Sequence, residues 1–180
     1  MGKIIFGQIS LIICCIFYLI WWSRCYRPGV KVNRVHGING VLLALTAAFG
    51  VAGVVLCLLP YPEVREHIIN IKLIVPVGIA GYVALLLITR LAFHRQITTE
   101  LVLITGWTML EVTVADRLYA AGGIGKGVFL TQVIVIAAAF IISMILYVAY
   151  YRMEENKAFY AAMVPLVTEA LAMLIIVLTV

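Results

Sequence analysis

Val128–Tyr151 reads VFLTQVIVIAAAFIISMILYVAYY, twenty-four residues without one charged side chain. At 1.5 Å per residue, a helix of that length reaches about 36 Å, more than the ~30 Å hydrocarbon core of a bilayer requires. The stretch does not alternate polar with apolar residues, so it is no strand of a membrane barrel. Five further runs of similar character flank it: Ile4–Trp22, Ile38–Leu59, Ile68–Thr89, Thr98–Tyr119 and Ala158–Val180. The connections Ser23–Gly37, Pro60–His67, Arg90–Ile97, Ala120–Gly127 and Arg152–Lys157 are too short to fold by themselves. The sequence therefore predicts an all-α integral membrane protein. It is expected to be a bundle of six transmembrane helices with short loops, residues 1–180 forming a single transmembrane domain.

Composition agrees. The chain of 180 residues is 65% hydrophobic and 12% charged, with a mean hydropathy of +1.16. Soluble domains carry about twice that charge. A soluble enzyme, a nucleic-acid binder and a disordered chain are thereby excluded. The formal charge of +5 resides in the short connections, where it speaks to membrane orientation. Arg24, Arg27, Lys31, Arg34, Arg90, Arg95, Arg152 and Lys157 fall on one side by parity; Lys3, Arg65, Arg117 and Lys126 fall on the other. The richer side is expected to be cytoplasmic, which puts both termini on the non-cytoplasmic side. The first run lacks a small-residue cleavage site and is followed by Arg24 and Arg27, so it reads as a retained span. Phe6 stands where myristoylation needs Ser or Thr.

Aromatic residues gather at the ends of runs: Tyr18, Trp21, Trp22 and Tyr26 after the first, Tyr147, Tyr150 and Tyr151 after the fifth, Phe159 and Tyr160 before the sixth. Interfacial anchoring accounts for them. In the second run Gly40, Ala44, Ala48 and Ala52 recur every four residues, with Gly50 and Gly53 nearby, which predicts close helix packing on that face. Pro76, Gly78 and Gly81 predict a kink beside a close contact in the third. Gly122, Gly123, Gly125 and Gly127 follow no strand and read as a turn. Cys14, Cys15, Cys25 and Cys57 show neither redox nor zinc spacing, and His36, His67 and His94 are not placed to ligate haem, so no metal or cofactor is named.

Two acids fall deep inside spans. Glu111 lies thirteen residues into the fourth run and Glu169 eleven into the sixth. Both runs cross in the same direction, so the carboxyls are expected at matching depth, roughly 16–20 Å from one boundary. A lone ionised carboxylate at the midplane costs about 2.5–3.5 kcal/mol on insertion scales. No Lys or Arg shares that depth, leaving a proton, a metal ion, a cationic solute or a shared hydrogen as partner. Glu100, Ile104, Trp107, Glu111, Val114 and Leu118 share a face of the fourth helix, with Thr105 and Thr108 beside it. Pro165, four residues before Glu169, has no N–H to offer the Ala161 carbonyl, and Thr168 adjoins the acid. A broken helix beside an acid is a device transporters use for ion sites. Glu111, Glu169, Trp107, Thr108, Thr168 and Pro165 are therefore the expected ligand-binding residues, with Gln132, Tyr82 and Ser143 as further candidates. Asp116 and Arg117, at a span end, are expected to be solvated.

Three functional readings follow. The first is a protein that binds or transports a small solute or cation, proton-coupled through the midplane carboxylates. The second is a non-catalytic subunit of a larger membrane complex, as a homo-oligomer or with a partner membrane subunit. The third is an intramembrane enzyme acting on lipid or quinone, with Glu100, Arg90, His94 and Arg95 near the headgroups. In length and span number alone the chain resembles the substrate-binding components of energy-coupling-factor vitamin importers; no ligand motif carries over.

Overall fold

The computed structural model describes residues 2–60, 62–93, 99–150 and 152–180. It is all-helical among those residues: α1 Gly2–Cys25, α2 Ile38–Leu58, α3 Ile71–Phe93, α4 Thr99–Ala120, α5 Lys126–Tyr150, α6 Glu155–Ala161 and α7 Val164–Leu178. Four helical runs are long and apolar enough to cross a bilayer: Gly2–Cys25, Ile38–Leu58, Lys126–Tyr150 and Glu155–Leu178, the last being α6 and α7 taken together. The apolar part of α3, Leu73–Ile88, is shorter. The sixth expected run is thus two helices, parted at Ala162 and Met163. Pro165 sits in the first turn of α7, where its missing N–H costs nothing.

The fourth helix is the least apolar, because it carries Glu100, Glu111, Asp116 and Arg117. It is placed accordingly. Helix α4 packs on α2, α3, α5 and α7, and Leu101, Glu111, Val114, Ala115, Asp116, Leu118 and Ala120 are all fully buried. The helices around it enclose the carboxyls of Glu111 and Asp116. The main core gathers Ile4 and Leu11 of α1, Cys57 of α2, Val114 and Leu118 of α4, Ile136 of α5, and Met173 and Ile176 of α7.

The most extensive helix pair is α1 with α2, but not through the expected face. Ala44, Ala48 and Ala52 are exposed, while Asn39, Gly53 and Cys57 are buried. The closest approach is Gly7 against Gly53. A methyl on Gly7 would lie 2.6 Å from Cys57 Sγ and 3.0 Å from the Gly53 carbonyl oxygen. In a helix apolar all round, the lipid side and the packing side offer no contrast to read. On α3, Pro76 lies within the helix without ending it, and Gly78 rather than Gly81 makes the close contact, against Met109 of α4.

The glycine turn closes α4. Gly122 has φ +75°, and the N–H groups of Gly122 and Gly123 donate to the carbonyls of Tyr119 and Leu118. This is a Schellman cap, whose left-handed position favours glycine.

Candidate functional site

Glu111 is wholly buried, and both its carboxyl oxygens accept from Gln8 Nε2 of α1, at 3.1 and 2.9 Å. The same amide nitrogen lies 3.7 Å from Cys57 Sγ. Gln8 Oε1 is buried and has no partner among the described residues. Turned over, the amide would present that oxygen to the hydroxyl of a protonated carboxyl, so Gln8 can serve Glu111 in either state.

Glu169 of α7 is 5% exposed. It lines a cavity of about 80 Å³ that Glu111 does not reach. The other walls are Tyr18 and Trp22 of α1, Leu103 and Ile104 of α4, Leu146, Tyr147 and Tyr150 of α5, and Ala161, Ala162, Pro165 and Leu166 around the helix break. Glu169 is the one ionisable carboxyl in this wall. Tyr18, Trp22, Tyr147 and Tyr150 line the same space, and Trp22 stacks with Tyr18 and Tyr26 at centroid distances of 6.4 and 4.1 Å. Parting α6 from α7 is what opens room beside the acid. A single carboxyl among aromatic and aliphatic side chains suits a cation with an apolar body.

The remaining expected residues are dispersed. Thr168 Oγ1 donates to the Val164 carbonyl and Thr108 Oγ1 to the Ile104 carbonyl, each within its own helix. Thr108 and Tyr82 face a separate apolar groove between α3 and α4. Trp107 packs on the main core, its Nε1 buried without a partner among the described residues. Gln132 Nε2 donates to Thr179 Oγ1 at 2.9 Å, and Ser143 is fully buried. Glu169 and Pro165 thus share a cavity, and Glu111 lies behind it. His94 and Arg95 lie outside the described residues, as does the side chain of Glu100.

The opposite end of α4 holds a second polar cluster, contrary to the expectation of solvation. Asp116 is fully buried. Its Oδ1 accepts from the backbone N–H groups of Ile68 and Ile69, at 2.9 and 3.0 Å, and its Oδ2 lies 2.6 Å from His67 Nδ1. His67 Nε2 meets Glu63 at 3.2 Å. Burial lowers the His67 pKa, but hydrogen bonds to Asp116 and Glu63, with their charges, outweigh it and leave the imidazole above its ordinary value. Arg117 Nη1 donates to the carbonyls of Cys57 and Leu59, capping α2. Helix C-termini favour such cations. Among the described residues no group of three or more His, Cys, Asp or Glu side chains is arranged to hold a metal ion.

Gln8 and the pairing of Asp116 with His67 were missed by sequence reasoning. Gln8 had a signal, being an amide inside an otherwise apolar run. Asp116 had another, since an acid near a helix C-terminus opposes the dipole and needs a partner.

Comparison with known protein families, curated proteins and solved structures found no match.

Proposed function

We propose that this membrane protein binds a small organic cation, an alkylammonium compound, in the cavity walled by Tyr18, Trp22, Tyr147 and Tyr150, with Glu169 as its counter-charge. The observation that carries the reading is a nearly buried carboxyl, without a basic side chain beside it in that wall, facing a space otherwise aromatic and aliphatic. An acid in such surroundings needs a positive partner or a proton. When the cation leaves, a proton takes its place, and Glu111 with its two-way Gln8 amide provides a second buried proton site. Cation binding is thereby coupled to proton release, which is the chemistry of a proton-linked carrier or sensor.

The test is calorimetric titration of the purified protein in detergent with methylammonium, an alkylammonium small enough for a cavity of about 80 Å³. The expected result is saturable binding that tightens as pH rises, weakened about tenfold or more in Glu169→Gln, which keeps the shape but removes the charge. Equal affinity in E169Q, or no saturable binding by folded parent protein, overturns the reading.

One observation favours the second reading, a subunit of a larger membrane assembly. The small-residue face of α2 (Ala44, Ala48, Ala52) remains exposed, and such faces admit a close helix partner. Migration of the purified chain as a monomer, with methylammonium bound, would tell against it.

A further inference from the structure

A groove of about 600 Å³ lies where the end of α1, the connection after it and α6 meet. Arg24, Arg27 and Asn39 form its polar wall; Phe159, Tyr160 and Met163 form an apolar one. We infer that this groove holds the headgroup of an anionic phospholipid, the phosphate on the two guanidinium groups and the acyl chain against the apolar wall.

Charge is the first argument. The connection carries Arg24, Arg27, Lys31 and Arg34 and no acid. Arg34 is engaged elsewhere, with its guanidinium carbon 4.3 Å from the Tyr26 ring centroid. Neither Arg24 nor Arg27 meets an acidic side chain among the described residues, although both line a concave surface. Two arginines side by side without counter-charge present the fork geometry that a phosphate matches.

Preorganisation is the second. Arg24 Nε donates to Asn39 Oδ1 at 3.2 Å. Asn39 is buried, and its Nδ2 donates to the Asn33 carbonyl at 2.7 Å. The guanidinium is tethered at Nε, which leaves its terminal nitrogens for a ligand and reduces the entropy lost on binding. Position is the third. The groove adjoins the Trp21, Trp22 and Tyr26 cluster that ends an apolar helix, where such rings sit at headgroup level. Tyr160, 67% exposed, and Phe159 continue the wall along α6. Basic pockets between helices at this level suit anionic headgroups.

The experiment uses delipidated full-length protein in detergent, titrated with phosphatidylglycerol, with phosphatidylcholine and with inorganic phosphate. Thermal unfolding and native mass spectrometry are read in parallel. Phosphatidylglycerol alone is expected to raise the melting temperature and to remain as a single adduct. Half-saturation should rise about fivefold in Arg27→Gln and about 25-fold in Arg24→Gln/Arg27→Gln, at about one surface charge's attraction per arginine. Arg27 makes no hydrogen bond within the described protein, so R27Q keeps the inference testable if the double variant fails to fold. Lys126→Gln, at the first residue of α5 and outside the groove, should bind as the parent does. Equal effects of the two lipids, an equal effect of inorganic phosphate, or undiminished binding by R27Q overturns the inference.

Discussion

Replacing Asp116 by Ala removes the anchor that fastens the connection between α2 and α3 to the end of α4. Three hydrogen bonds go at once: two from the backbone N–H groups of Ile68 and Ile69, and one with His67 Nδ1. Bonds to charged groups contribute about 1.5–3 kcal/mol each, but Ile68 is 43% exposed, so water can satisfy part of what is lost. Taking about 1 kcal/mol per bond gives a loss of about 3 kcal/mol. For a chain of this length that lowers the melting temperature by about 6–12 °C. The four cysteines are free, and Cys25 and Cys57 are buried, so a thiol-reactive dye reports unfolding in detergent directly. Asp116→Asn retains an oxygen for the two N–H groups and should recover about half of the loss. A melting temperature for D116A within 2 °C of the parent would refute the idea that this buried carboxyl secures the connection.

The same cluster gives a pH dependence. His67 is raised in the folded state, so its contribution is complete below the ordinary histidine value and fades as pH climbs through the folded one. His67→Gln should therefore flatten the decline in melting temperature as pH rises above the ordinary histidine value. Gly7→Ala should cost about 1–3 kcal/mol and speed maleimide labelling of Cys57, because its methyl would strike that sulfur and the α2 backbone. Gly81→Ala, with nothing within 4 Å of the added carbon, should be neutral or stabilising by up to about 1 kcal/mol, read in the same melt. Gln8→Leu leaves Glu111 without its amide and should cost about 1–3 kcal/mol; in Gln8→Leu/Glu111→Leu most of that cost should vanish.

Much of the architecture is legible because hydropathy and length are local properties. The expected fifth run, Val128–Tyr151, nearly coincides with α5, and Thr98–Tyr119 with α4. The third is displaced by a few residues, Ile68–Thr89 against Ile71–Phe93, because Asp116 takes the N–H groups of Ile68 and Ile69 and holds them outside the helix. Lateral arrangement is not local. Whether Gly53 or Ala52 meets α1 depends on rotation about an axis, and a helix apolar on every side encodes that only through shape. Gln8 and Glu111 stand 103 residues apart, His67 and Asp116 49, and nothing in either neighbourhood announces the other. Residue counting gives an expected depth for Glu169; it does not give the company of Tyr18, Trp22 and Tyr147 around it, since two other helices, α1 and α5, supply those side chains.

The sheltered position of α4 bears on how the chain is made. Threaded from the ribosome in order, α4 reaches the membrane before α5 and α7 exist to cover it, carrying Glu111, Asp116 and Arg117 into a solvent that rejects them. Its early companions are α1, through the Gln8 amide, and α2, through the carbonyls that Arg117 grips. The first four helices must therefore wait as an unfinished assembly at the insertion machinery. A chain cut after Gly127 would lack α5 and α7 and so leave that polar helix without part of its cover.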